Sequence, residues 1–377
     1  MNNKYQLPKD GGLIKDNAPK DIIHRYERMA TRVFENEYYG VQYVADTICR
    51  MVREHSERAS ARDIYEELPP FVLGLTTGHT PLGLYRELVK RHQAGEISFA
   101  NVAVYTLDEF YPIRRTEQQS RNFRIHDEFL KHIDIRPENV HIPDGTISES
   151  EVSEYCAAFD KSIRKIDLMI IGFGEQGQIG FNEQGSYAKS HTRLVELSHN
   201  SRKVQSDLFF GLENTPKMAI TMGIGTIMRA DRIVLMAWGE DKADVVGKVV
   251  EGEATRLIPA SLLQNHPSIE AVVDDPAADM LTVKKSPWLV GPCEWTPRMV
   301  RKAVVWLCET VKKPILKLTY QDYIENSLGE MLEAVQKSYH SINIGVFNDL
   351  QHTITGWPGG KPNADDSTRP VPSQPFP

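Results

Sequence analysis

Three short segments carry residues whose types and spacing suit chemistry on a small anionic ligand. In the first, an apolar run ends in Thr76, Thr77, Gly78, His79 and Thr80, and Pro81 then opens a helical pattern. Glycine lets backbone N–H groups approach an anion, hydroxyls donate to it, and a helix amino terminus adds the positive end of a dipole. Proline in a first helical turn costs no hydrogen bond. These features predict a phosphate cradle, although a strand-to-helix turn without a ligand has the same composition. The Gly-Lys-Ser/Thr ending of a P-loop is missing.

The second segment places Asp108 and Glu109 directly after the apolar run 102–107. A carboxylate there can serve as general base on a carbon next to a carbonyl. Neighbours in an extended segment point to opposite sides, so only one of the pair faces a ligand; a solvated charge pair is the plainer alternative. In the third segment, Gly172, Gly174 and Gly177 form G-x-G-x-x-G after an apolar run, and Glu196 stands where a ribose-binding acid would. A dinucleotide site requires a helix to begin there, but 178–185 holds two more glycines and no helical period. The dense glycines instead predict backbone wrapped closely around a small polar ligand, with Asn182 and Glu183 orienting it.

The elements that must position these segments are legible as short continuous apolar runs, 71–75, 102–107, 167–173 and 232–238, alternating with helical patterns over 81–92 and 152–165. Continuous apolarity over five to seven residues marks a strand buried on both faces. Alternation of strand and helix predicts an α/β fold, a mostly parallel sheet with helices on both faces. Ligands of such sheets sit beyond the strand carboxyl ends, where all three segments fall. Val41, Val44, Ala45, Ile48 and Val52 lie at helical spacing and predict a helix packed on the sheet. From about Ser286 the texture changes to amphipathic stretches at 299–310 and 321–336, and the last 20 residues hold six prolines. The expected organisation is a polar leader (1–31), an α/β domain (32–285), a helical extension packed on it (286–356) and a proline-rich linker or tail (357–377).

The 377 residues carry a formal charge of −7 with no basic run, which argues against nucleic acid as partner. No apolar stretch approaches membrane-spanning length and the amino terminus lacks a signal-peptide core, so a cytoplasmic protein is expected. The four cysteines form no C-x-x-C pair. Neither a metal site nor a cofactor is expected.

Together, in this order and spacing, the three segments resemble the glucosamine-6-phosphate deaminase (glucosamine/galactosamine-6-phosphate isomerase) family from about Arg32 to Leu281. The resemblance extends to 215–227, to Ser190–Arg193 and to Lys242. It implies that Thr77, Gly78, His79, Thr80 and Lys242 hold the phosphate of glucosamine 6-phosphate or a related amino-sugar phosphate. It implies that Asp108 moves a proton between C2 and C1 of the opened sugar and that Glu183 is the acidic member of a ring-opening relay. No cofactor is implied. Ser186 and Arg193 match a regulatory pocket, in which the family's lysine is replaced by Val195. A homo-oligomer is also implied, and the extension resembles two-domain proteins in which a deacetylase-like domain follows.

The departures concern the relay, where the family's aspartate and histidine are replaced by Gln176 and Gln178. An amide exchanges no proton near neutral pH. The family's second phosphate-binding arginine falls at Asp207 and Leu208. The expectation is therefore a deaminase-like protein with weakened or lost isomerisation and deamination. A silent sugar-phosphate sensor or scaffold is the alternative; a sugar-phosphate lactonase would need a histidine base that 176–178 does not offer.

Overall fold

The computed structural model describes residues 26–60 and 69–355; the leader before Tyr26 and the tail after Thr355 lie outside the described residues. The chain divides into two compact units, with the boundary at Lys285 and Ser286.

Among the described residues of the first unit ten strands form: β1 Ala30–Phe34, β2 Phe71–Leu75, β3 Val102–Thr106, β4 Asp108–Tyr111, β5 Val140–His141, β6 Leu168–Gly172, β7 Arg193–Glu196, β8 Met218–Thr221, β9 Ile233–Ala237 and β10 Ile269–Asp274. Seven of them make one sheet in the order β1-β10-β9-β6-β2-β3-β5, parallel throughout. The apolar runs are its central strands. Val102–Thr106 and Ile233–Ala237 are buried at every position, as strands covered by helices on both faces must be.

The helix Glu37–Ser60 buries Val41, Val44, Ala45, Ile48 and Val52 against one side, in the core cluster that includes Leu73, Val104 and Met236. The other side holds Met169, Ile171, Leu235 and Val273 with Val246 and Val249 of the helix Ala243–Val250. Each fully buried Leu or Ile contributes about 1.5–3 kcal/mol relative to exposure. That is the force aligning the strand tips.

A second sheet, β4-β8-β7, is antiparallel and was not visible as alternation in the sequence. The chain leaves β3 at Thr106, and Leu107 bridges the two sheets. Its N–H donates to the Leu75 carbonyl at 3.1 Å, and its own carbonyl accepts from Met222 N–H at 2.6 Å. Asp108 therefore begins β4 at the junction of both sheets.

The second unit is helical, with Pro297–Val311, Tyr320–Glu325, Gly329–Val335 and Tyr339–Thr355. Trp288, Val304, Leu307, Tyr323, Leu328 and Met331 build its core. The expected single helix over 321–336 is two helices. Ser327 takes a left-handed φ of 60°, and Leu328 N–H turns back to the Tyr323 carbonyl at 2.9 Å. That turn buries the Leu328 side chain in the core.

Candidate functional site

In the main sheet β2 and β3 build toward one edge, and β6 then returns to the opposite side of β2, followed outward by β9. The crevice at such a reversal of strand order is where an open parallel sheet offers a ligand site. The adjacent strands β3, β2, β6 and β9 release, in that spatial order, Asp108, the 76–80 turn, the 174–178 turn and Lys242. Segments far apart in sequence thus meet at one edge.

Contacts tie them together. The Thr80 side chain rests 3.0 Å from where a Cβ on Gly172 would stand. The Thr80 carbonyl accepts from the Trp238 indole N–H at 3.1 Å. Lys242 Nζ donates to the Phe173 carbonyl at 3.3 Å, and burial lowers its pKa while Glu175 and Asp241 oppose that shift. Within the first turn Gly78 has φ 117° with open space above it, His79 is exposed, and the Thr77 hydroxyl is buried without a partner among the described residues. Tyr85 braces the turn from below by donating to the Thr76 carbonyl.

The Asp108–Glu109 pair divides as the alternation of an extended chain requires. Glu109 accepts from Phe110 N–H, Ser120 Oγ, Arg121 N–H and Asn122 N–H at 2.7–2.9 Å, holding the first turn of the helix Arg121–Glu128. No hydrogen bond among the described residues reaches the buried Asp108 carboxylate. Burial raises its pKa, opposed by Arg121, whose Nε is 3.6 Å from Oδ1. Gly180 sits against Asp108 with φ 55°; a Cβ there would stand 2.8 Å from Oδ2. Glu109→Ala should therefore lower stability by about 2–4 kcal/mol in urea denaturation, since four donors, three of them in buried hydrogen bonds, lose one shared acceptor.

No helix starts after Gly172. Gly177 N–H closes a turn onto the Gly174 carbonyl at 2.8 Å, and Gly174 N–H donates to the Gln178 carbonyl at 3.0 Å. Gln178 folds over Gly174, and its Oε1 accepts from Gln176 N–H at 3.1 Å. Gln176 is exposed. Both Glu183 carboxylate oxygens accept from Ser198 N–H at 3.2 Å. Arg193 joins Asn182 Oδ1 at 3.0 Å to Ser186 Oγ at 3.4 Å, so the two residues matched to a regulatory pocket are in contact. Asp207 is exposed. A separate cavity of about 730 Å³ lies on the Glu109 side of β4, lined by Arg115, Asn122, Phe123, His126 and Lys131, and Asp108 does not line it.

Two residues that hold the Asp108–Glu109 pair, Ser120 on Glu109 and Arg121 on Asp108, carried little sequence signal. Ser120 before Arg121–Glu128 is an ordinary helix cap, accepting from Phe123 N–H at 3.3 Å. Arg121 itself matched no motif.

Fold and site together define an α/β protein with a polar site assembled at the carboxyl edge of a parallel sheet. The chain belongs to the family of glucosamine-6-phosphate isomerases/6-phosphogluconolactonase, whose model matches residues 42–272. It is 42% identical over 361 residues to a glucosamine-6-phosphate deaminase-like protein of Bacteroides thetaiotaomicron, covering 95% of this chain and 53% of that one. The chain thus spans about half the length of that relative. Glucosamine-6-phosphate deaminase 2 of Bacillus subtilis is 40% identical over 243 residues, covering 61% of this chain and 96% of its own. A solved monomeric glucosamine-6-phosphate deaminase of the NagB superfamily superposes with TM-score 0.61 at 33% identity, covering 67% of this chain and all of its own. The 6-phosphogluconolactonase from Leishmania guyanensis, 20% identical with TM-score 0.52 over 67% of this chain and 98% of its own, shares the fold alone. Among the described residues no helix is long and apolar enough to cross a membrane, and no group of three His, Cys, Asp or Glu is placed to hold a metal.

Proposed function

We propose that the first unit binds an amino-sugar phosphate of the glucosamine 6-phosphate type, with Thr77, Gly78, His79, Thr80 and Lys242 at the phosphate. In this reading Asp108 retains proton transfer at C2, while ring opening, and with it isomerisation and deamination, is weakened or lost. The observation that carries the reading is the contrast at the strand tips. A buried carboxylate that accepts no hydrogen bond among the described residues stands on β4, whereas Gln178 is an amide held by the Gln176 backbone. A group poised to ionise can act as base; an amide cannot carry the ring-oxygen proton.

Calorimetric titration with glucosamine 6-phosphate, beside an ammonia assay on the same sample, tests this. Expected are binding and ammonia release far below that of a deaminase with aspartate and histidine at the relay positions. Normal turnover, or no binding at all, would overturn it. The held Gln178 also favours a second reading, a silent sugar-phosphate sensor, for which binding would come with no deuterium uptake at C2.

A further inference from the structure

Arg121 presents a buried charge without the partners that burial demands. Its side chain is 8% exposed, yet no hydrogen bond from the described residues reaches its guanidinium, and Nε is shielded from solvent. The carboxylate beside it, Asp108, is 3.6 Å away, beyond a proper hydrogen bond. Its Cζ lies over two rings, 4.7 Å from the Phe110 ring centre and 5.5 Å from that of Phe181. Rings attract the charge but supply none of the oxygen acceptors that a guanidinium's N–H edge takes. A desolvated cation with five donors and one loose ion pair is poorly compensated, and an oxygen-bearing ligand would complete it.

Resting on the amino-sugar-phosphate reading above, we propose that Arg121 contacts the substrate, its N–H edge receiving the oxygen on C1 of the opened sugar while Asp108 works on C2. The chemistry balances without a further reactant. Asp108 takes the C2 proton, the C–H electron pair becomes the C1–C2 double bond, and the carbonyl π pair moves onto the C1 oxygen. There the guanidinium donates to the growing negative charge, in a site where burial strengthens the interaction. Asp108 then returns the proton to C1 on the C1–C2 π pair, the nitrogen lone pair closes a C2=N bond, and one iminium N–H proton passes to the C1 oxygen, leaving a C1 hydroxyl, a C2 imine and the regenerated carboxylate. Arg121 is thus the electrophilic partner of the base.

The test uses binding and so does not depend on turnover. Two open-chain ligands, 2-amino-2-deoxyglucitol 6-phosphate and its analogue lacking the C1 oxygen, are titrated by calorimetry into the full chain and into Arg121→Met and Arg121→Lys. The unmodified protein should prefer the oxygen-bearing ligand by about tenfold to a hundredfold, the range of a hydrogen bond to a charged group. Arg121→Met should lose that preference while binding the deoxy analogue within about threefold, and Arg121→Lys should keep part of it. If Arg121→Met fails to fold by circular dichroism, the ligand pair in the unmodified protein and the lysine variant decide. Equal affinity of the unmodified protein for both ligands, or an equal loss for both in the variants, would overturn the proposal and leave Arg121 a structural residue. Binding of neither ligand to the unmodified protein would instead remove the sugar-phosphate reading, and this proposal with it.

Discussion

Asp108→Asn should reduce deuterium uptake at C2 of glucosamine 6-phosphate by about a hundredfold to ten-thousandfold, the usual loss when a positioned general base is removed. Binding measured by calorimetry should change only a few-fold, because the proposed phosphate contacts at Thr77–Thr80 and Lys242 lie on other strands. The pH profile gives an independent check. Asp108 acts as base only when ionised, and burial pushes its carboxyl above the usual carboxylate range while Arg121 pulls it back. Exchange should therefore be full above that raised value and fall as pH drops through it, failing at a higher pH than an exposed aspartate would dictate. Asp108→Asn should abolish this limb. Exchange that persists in the variant, or a profile flat down to about pH 4, would remove Asp108 from the role of base.

Rebuilding the relay should produce the second large effect. Gln176→Asp combined with Gln178→His should raise ammonia release by about a hundredfold or more over the unmodified protein, with affinity little changed. Imidazole titrates near neutral pH and can carry the ring-oxygen proton; the amide it replaces cannot. Gln178→His alone should recover only part of the rate. The Gln178 side chain is folded over Gly174 and fixed by the Gln176 backbone, and a lone imidazole would have no acid at position 176 to set its tautomer and orientation. The 174–178 turn keeps its glycines and its closing hydrogen bonds, so the backbone frame for both side chains is present. A double variant that binds the sugar but stays as slow as the unmodified protein would place the missing function elsewhere, with the arginine replaced at Asp207 and Leu208 next in line.

Much of this architecture was legible in the sequence because it rests on patterns that are local. Continuous apolarity marked the buried strands at 71–75, 102–107, 167–173 and 232–238, and the 3.6-residue period marked the helix that buries Val44 and Ile48. The glycines of 172–185 and the absence of a helical period after them excluded a dinucleotide turn, and the chain indeed makes no helix there. The edge strands β1 and β5 were not legible. β5 is two residues long and β1 alternates in burial, so neither has the continuous apolar run of a central strand. The second sheet was hidden for a similar reason: β4, β7 and β8 are four residues each, and β4 pairs with a strand as far along the chain as Met218–Thr221.

What the sequence by itself determined is the set of chemical groups: threonines and glycines before Pro81, two carboxylates after β3, and glutamines where a titrating pair would stand. Only the tertiary structure decided their use. It turned Glu109 onto a helix amino terminus and left Asp108 bare, it set Arg121 beside that carboxylate on the rings of Phe110 and Phe181, and it ordered the strands so that four distant segments share one edge. The physical reason is that residue type and spacing act through nearest neighbours along the chain. Burial, desolvation and the pairing of charges depend instead on neighbours in space, and those exist only once the sheet has closed its order.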